Sequence, residues 1–421
     1  MKIQRKLELW RPRILNPVGL YALFVLAFSA SANADDFTYT TNFPDTNTIT
    51  ISSYIGSGGA VDIPFEIEGK TVTGIGTFSF ADRTSVISVT IPNSVTNISG
   101  NAFYFCTNLT SVTIPGSVIT IGNNAFDHCT HLANVFIGYG VAIIGSNAFM
   151  SCNSLATVII PNSVTTIGNG GFNSCFSLAN VMIGNAVTYI GDQSFGECPS
   201  LTSIVIPGSV TNIGVRSFQG CISLTNAIIG NSVAIICNEA FSGCSALTSV
   251  RIPDNVSSIG EGAFGSCSRI TNVTIGNGVT NIGNFSFADC TALHEIYFHG
   301  DAPIAASSVF FHCVNATVYY LPGANSWPTI PNLWPNPTTG RPTAWWRPEV
   351  QDDKDFGVLA DHFGFNVSWA NGQVMVVEAC IDLTTTNWVP VATNTFTSDS
   401  SYFSDSQLAI NPKCYYRLRT Q

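Results

Sequence analysis

Charge is what this sequence has least of. Only 10% of its 421 residues are Asp, Glu, Lys or Arg, 16 basic against 26 acidic, for a net charge of −10. Nucleic acid and anionic membrane surfaces both demand dense Lys and Arg, so the composition excludes them as partners. Histidine is scarce as well, with 6 in the whole chain. No CxxC pair, HExxH, GxSxG or phosphate-cradling Gly-rich loop followed by Lys and Ser/Thr is present, which removes the usual marks of zinc, nucleophile-elbow and nucleotide chemistry. No apolar run is long enough to span a bilayer comfortably.

One shorter apolar run does occur, at the start. MKIQRKLELWRPR is basic, VGLYALFVLAFSA is apolar, and Ala32-Asn33-Ala34 fits the small-residue rule for cleavage, so residues 1–34 read as a signal peptide cleaved after Ala34. The expected mature protein is exported, secreted or held at the cell surface, with no membrane span. Loss of five basic residues and Glu8 takes the net charge from −10 to −14.

What the sequence has in abundance is a period. Phenylalanine recurs every 23 residues from Phe80 to Phe310, eleven times without an insertion. Around it runs LTSVTIPxSVTxIGxxAFxxCxx, as in LTSVTIPGSVITIGNNAFDHCTH from Leu109 to His131. Leu109, Val112 and Ile114 head apolar columns that persist in almost every copy. In LTSVTIP the alternation of apolar and polar residues is that of a strand with one buried face. Val118 and Ile121 before Gly122 make a second apolar step, and NNAFDHC suits a tight helical or 3₁₀ turn. A coil of 23 residues encloses no core alone, whereas stacked coils do, in a parallel ladder. At the strand end Pro115, Gly138, Pro161, Gly184, Pro207 and Gly230 alternate strictly, a mark of growth by duplication of a 46-residue pair.

These residues resemble the bacterial BspA-like leucine-rich repeats, whose unit looks like LxxVxIPxxVxxIGxxAFxxCxx. The likeness covers about residues 49–322 and includes the lead-in ITISSYIGSGGAVDIPFEIEGKTVTGIG. It implies a β-rich right-handed leucine-rich-repeat solenoid on an exported or surface protein, often an adhesin or binding protein, with no catalytic tradition. Beyond the period, VVEACIDL, NWVPVATNT and YYRLR resemble small fibronectin-III-like modules, and the short alternating strands there predict an antiparallel β-sandwich. The expected organisation is a signal peptide (1–34), an N-terminal capping region (35–67), the solenoid (68–322), a Pro/Trp-rich linker (323–348) and the C-terminal β-sandwich (349–421). Trp327 and Trp334 are expected to fold back over the open end of the stack.

Candidate sites are few. Asp127, His128, Cys129 and His131 lie within five positions and look like a metal or nucleophile cluster, but ten cysteines share the Cys129 column, three residues after the Phe. The column makes Cys129 scaffold, a small buried hydrophobe, with disulfides or a metal as the alternatives, and leaves its polar neighbours facing water. Cys237 sits in a column of glycines. Cys380 and Cys414 form a candidate disulfide in the C-terminal module of an exported chain. Asp352, Asp353 and Asp355 offer carboxylates to calcium, though a solvated linker is the preferred reading. No catalytic residue, cofactor or metal is expected.

In a leucine-rich repeat the residue between the two inward strand positions faces out of the concave sheet. Here that column includes Phe136, Ile159, Met182, Val205 and Ile228, five successive coils with an apolar group on a wetted face, continued by Arg251 and, two coils on, by Tyr297. Strand propensity alone favours β-branched residues at such positions, but not Phe or Met. The stripe, roughly 20 Å long at strand spacing, is therefore the candidate binding surface for an extracellular protein or peptide, or a glycan. Docking of the C-terminal module on the stripe is a further arrangement. The expected function is non-catalytic recognition or adhesion; the alternatives are a structural envelope or matrix component and a carbohydrate-active enzyme.

Overall fold

The computed structural model describes residues 33–328, 333–335, 340–345, 349–351, 357–359, 362–368, 373–380, 388–397, 400–405 and 415–420. The signal-peptide reading of the leader thus falls almost wholly outside the described residues, as do Asp352, Asp353 and Asp355.

Each coil contributes one strand to each of two parallel ladders. The first is the LTSVTIP strand: Ser111–Ile114 pairs with Asn134–Ile137 in register, Val112 beside Val135 and Ile114 beside Ile137. The second is the short apolar step, where Thr120–Ile121 pairs with Ile143–Ile144. Exact 23-residue spacing makes this register unavoidable, because any slip would carry Val112 and Ile114 to the wet face. The short strands join one continuous 14-stranded sheet that the antiparallel hairpin Phe37–Thr41 and Thr48–Tyr54 closes at the N-terminal end. The longer strands form three sheets, of 4, 4 and 6 strands. The ladder is interrupted between Asn134–Ile137 and Thr157–Ile160, and again between Asn226–Ile228 and Ser249–Ile252.

The core is a file of like residues. Phe103, Phe126 and Phe149 are wholly buried, and consecutive rings lie 4.9 and 5.2 Å apart within 4° of parallel. The file begins at Tyr54, 5.1 Å from Phe80, and ends at Phe310, where Trp334 lies 6.1 Å away. Trp334 is buried and Trp327 stacks on Tyr320 at 4.7 Å, so both tryptophans cap the last coil as expected. The Pro/Trp-rich segment also adds a rung, Arg341–Trp345 pairing with Thr317–Tyr320.

The expected helical turn around each Phe is absent from the described coils; the only helix there is the 3₁₀ segment Ala34–Asp36. NNAFDHC is instead a zigzag of turns with left-handed residues two before and two after the Phe, Asn124 at φ 54° and His128 at φ 60°. The reason is hydrogen bonding. Alternate amides turn inward, Tyr104 N to Asn101 O and Cys106 N to Phe103 O, at 3.2 and 3.1 Å. The others donate to the next coil, Asn101 to Asn123 O, Phe103 to Ala125 O and Phe105 to Asp127 O, at 2.8, 2.7 and 2.9 Å. A helix would satisfy the segment internally and leave neighbouring coils unjoined at this corner.

The thiols join the same network. All ten repeat cysteines donate to the carbonyl of the Phe in the preceding coil, Cys129 Sγ to Phe103 O at 3.2 Å and Cys198 Sγ to Phe172 O at 3.2 Å among them. None of the described cysteines is in a disulfide. Burial pushes the Cys106 and Cys198 thiols up from 9.0 to about 12.

The Pro/Gly alternation has a steric cause beyond duplication. A Cβ on Gly184 would lie 2.5 Å from Pro161 O, and Gly138 and Gly230 approach the preceding coil as closely. Only glycine lets these coils close down on a proline rung.

The C-terminal residues form two antiparallel sheets. Phe365, Val367, Met375, Val377, Phe396 and Phe403 pack between them in a cluster that also takes in Leu321 of the array. On the opposite face of strand Val374–Cys380 the buried Glu378 is held by Arg417 at 2.7 Å and Arg419 at 3.0 Å, with Arg417 over the Trp388 ring. Those guanidiniums, Arg417 foremost and against the effect of burial, keep its carboxyl below the usual range.

Two outcomes follow. The Gly184→Ala variant is expected to lose about 1–3 kcal/mol from overpacking against Pro161, read as a lowered urea midpoint; a stability equal to wild type would refute the steric account. Thiols raised from 9.0 to about 12 stabilise the fold fully below pH 9 and lose that contribution as pH climbs toward 12. Urea midpoints should therefore fall across that interval in wild type and fall less in the Cys198→Ala variant.

Candidate functional site

The outward column of the concave strands lines up as the alternation predicts. Thr113 lies beside Phe136, Ile159 beside Met182, Val205 beside Ile228, and Arg251 beside Thr274. Met182, Val205 and Ile228 are 61, 56 and 52% exposed; Phe136 and Ile159 are half-buried and Arg251 is exposed. A row of apolar side chains this open is held there by the pleat: Val158 and Ile160 point into the core, so Ile159 must point out. Beside the row runs an exposed polar one, Asn134, Thr157, Asn180, Ser203 and Asn226.

Tyr297 is not part of this open surface. Its ring stacks on Tyr319 at 5.0 Å, and both pack against the core of the C-terminal module. The module thus docks on the C-terminal end of the concave face, while Phe136 through Ile228 stay clear of it.

Two features of the surface were not singled out from sequence. At the interruption after Asn134–Ile137 a groove of about 460 Å³ opens, lined by Thr110, Thr113, Asn134, Phe136, Thr157 and Ile159 among others. Next to it stands Tyr139, 74% exposed, its ring 6.3 Å from that of Phe136 and nearly perpendicular to it. Tyr139 sits in a column otherwise filled by Gly, Asn and Asp, from Gly116 to Asp254. That departure from the column was its one sequence signal.

The Asp127–His131 cluster is local structure, but it does not wholly face water. Asp127 is buried, bonded to His128 Nδ1 at 2.7 Å, and burial raises its carboxyl against the pull of that ring. The His128 ring lies flat on Phe105 at 4.4 Å, and His131 Nδ1 bonds Thr107 O at 2.7 Å. Both imidazoles are used in joining coils, and Cys129 is turned inward to Phe103 O. Cys237 is half-buried, its thiol raised chiefly by burial. Cys380 is buried at the end of its strand; Cys414, its candidate partner, lies outside the described residues.

A stack of 23-residue coils with two parallel ladders and a Phe file places the chain in the class of bacterial leucine-rich repeat solenoids. The BspA type leucine rich repeat region matches it in 6 copies, over residues 63–175, 130–245 and 212–326. The protein belongs to that family. Among solved structures, a leucine-rich repeat protein from Bacteroides ovatus ATCC 8483 is 24% identical, with a TM-score of 0.57 over 68% of this chain and 83% of its own, and shares the fold. A leucine rich cell surface protein from Faecalibacterium prausnitzii A2-165 is 30% identical over 69% of this chain and 94% of its own, with a TM-score of 0.46. The leucine rich repeat protein of T. pallidum is 33% identical over 52% and 90%, with a TM-score of 0.41. No curated protein matches the chain. Among the described residues no helix is long and apolar enough to cross a membrane.

Proposed function

We propose that this is an exported, non-catalytic recognition protein of the cell surface, whose concave face between Phe136 and Ile228 takes an extracellular partner, a protein or a glycan. The observation that carries the reading is the exposed run Met182, Val205 and Ile228 on a face lined otherwise by uncharged polar groups. Water is a poor neighbour for such a row: covering it gains about 25 cal/mol for each Å² of apolar area removed. The rigidity of the array favours binding, since a surface already ordered loses little entropy when a partner arrives. Membership of a repeat family with a cell surface protein among its similar structures supports the location.

Replacing Ile159, Met182 and Val205 together by Thr keeps strand propensity and removes the apolar row. The variant should melt with wild type and bind extracellular partners at least tenfold more weakly, equivalent to about 1.4 kcal/mol. Binding measured with and without residues 349–421 separates the array from the C-terminal module. Undiminished binding by the triple variant would reject the concave face as the site.

A further inference from the structure

Charge is missing from the concave face more completely than from the protein as a whole. From Val86 to Ser232 neither the concave strands nor the two residues after each contain Asp, Glu, Lys, Arg or His; the nearest such residues along the strands are Asp62 in the first strand of the sheet and Arg251 beyond the run. The charged residues of these coils lie on the turns instead, as Asp127, Asp192, Glu197 and Arg216 do. A protein partner spread across so many coils would bring ionised side chains to a surface with nothing to pair them. An acidic glycan would meet no Lys or Arg to hold its carboxylates or sulfates.

Within that neutral face one place is built differently. Gly138 and Gly140 both close onto the backbone of Gly116, as Gly276 and Gly278 do onto Asp254. On the other side the strand pairing between Asn134–Ile137 and Thr157–Ile160 is interrupted, and the groove opens there. Its walls carry hydroxyls at Thr113 and Thr157, the carboxamide of Asn134, and the apolar faces of Phe136 and Ile159. Phe136 lines the groove, and the Tyr139 ring lies 6.3 Å from that of Phe136 at an interplanar angle of 80°.

We propose that this groove is a subsite for a neutral glycan. The inference rests on the concave-face reading above and narrows it to one chemical class. Hydroxyls and carboxamides both donate and accept, which suits sugar hydroxyls that do the same. The C–H face of a pyranose ring is apolar and packs on aromatic rings. The union of a few placed polar groups with apolar walls is what an uncharged small-molecule site needs.

The test is native affinity electrophoresis of the full-length mature chain in gels containing laminarin, mannan, dextran or xyloglucan, and in parallel polygalacturonate or hyaluronan. At least one neutral polymer should retard the protein and neither acidic one should. Tyr139→Ser, at a residue 74% exposed and so dispensable for folding, should weaken retardation about tenfold. Phe136→Ala should do the same, whereas Tyr189→Ser on the other ladder should not; melting by circular dichroism confirms that each variant folds. The proposal is overturned if no neutral polymer retards the chain, if the acidic polymers retard it equally, or if Tyr139→Ser and Phe136→Ala bind as wild type. A protein ligand that the triple Thr variant loses, with no glycan retarding the chain, would refute the glycan subsite and leave the concave face standing as a protein-binding surface.

Discussion

Every coil of this protein must close against its neighbours around most of its perimeter, and the remainder of the structure follows from that requirement. A 23-residue loop has no inside until another loop lies on it. The two ladders meet the requirement on the flanks, where side chains alternate in and out. At the corners it is met by glycines such as Gly122, whose absent Cβ leaves room for backbone 2.5 Å from where that atom would sit. Near the Phe it is met by the left-handed zigzag that sends every second amide across to the next coil. The Phe file is then a consequence as much as a cause: rings held at this spacing on a rigid frame have stacking as their available arrangement.

The thiol ladder belongs to the same logic. A residue three after the Phe must be small, must be buried, and faces a carbonyl that already accepts one amide. Cysteine supplies a compact body and a weak donor, so the second lone pair of that carbonyl is used without burying a strongly polar group. All ten thiols share one direction, each aimed at a carbonyl, and at the end of the file Cys290 and Cys313 also lie within hydrogen-bonding reach of each other.

The solenoid was legible in the sequence because identical environments recur, and a column of eleven phenylalanines reports one environment eleven times. The outward column was legible for a related reason: Val158 and Ile160 being inward obliges Ile159 to be outward. The turns were misread as helical because a small residue before Phe suits either conformation. The deciding signal lay in other columns, where Asn101, Asn124, Asn147 and Gly170 are residue types that tolerate left-handed backbone. What could not be read is pair-specific. The seam beside Phe136 lies between two particular coils, and the covering of Tyr297 comes from a module whose sheets form far along the chain. Neither is a property of any one column.

The two interruptions of the concave ladder also bear on mechanics. The short-strand sheet runs unbroken along the array, whereas the longer strands are divided into three panels at residues 137/157 and 228/249. Opening the curve at either division breaks no pairing between concave strands, while bending anywhere else within a panel strains a ladder. At either division the coils are still joined by the short-strand sheet and by amides beside the Phe file, Phe126 N to Ala148 O and Phe218 N to Ala240 O, both at 2.8 Å. The exposed row from Ile159 to Ile228 lies entirely on the middle panel, whereas Phe136 belongs to the panel before it, so the groove between Phe136 and Ile159 straddles a division that the rest of the row does not cross.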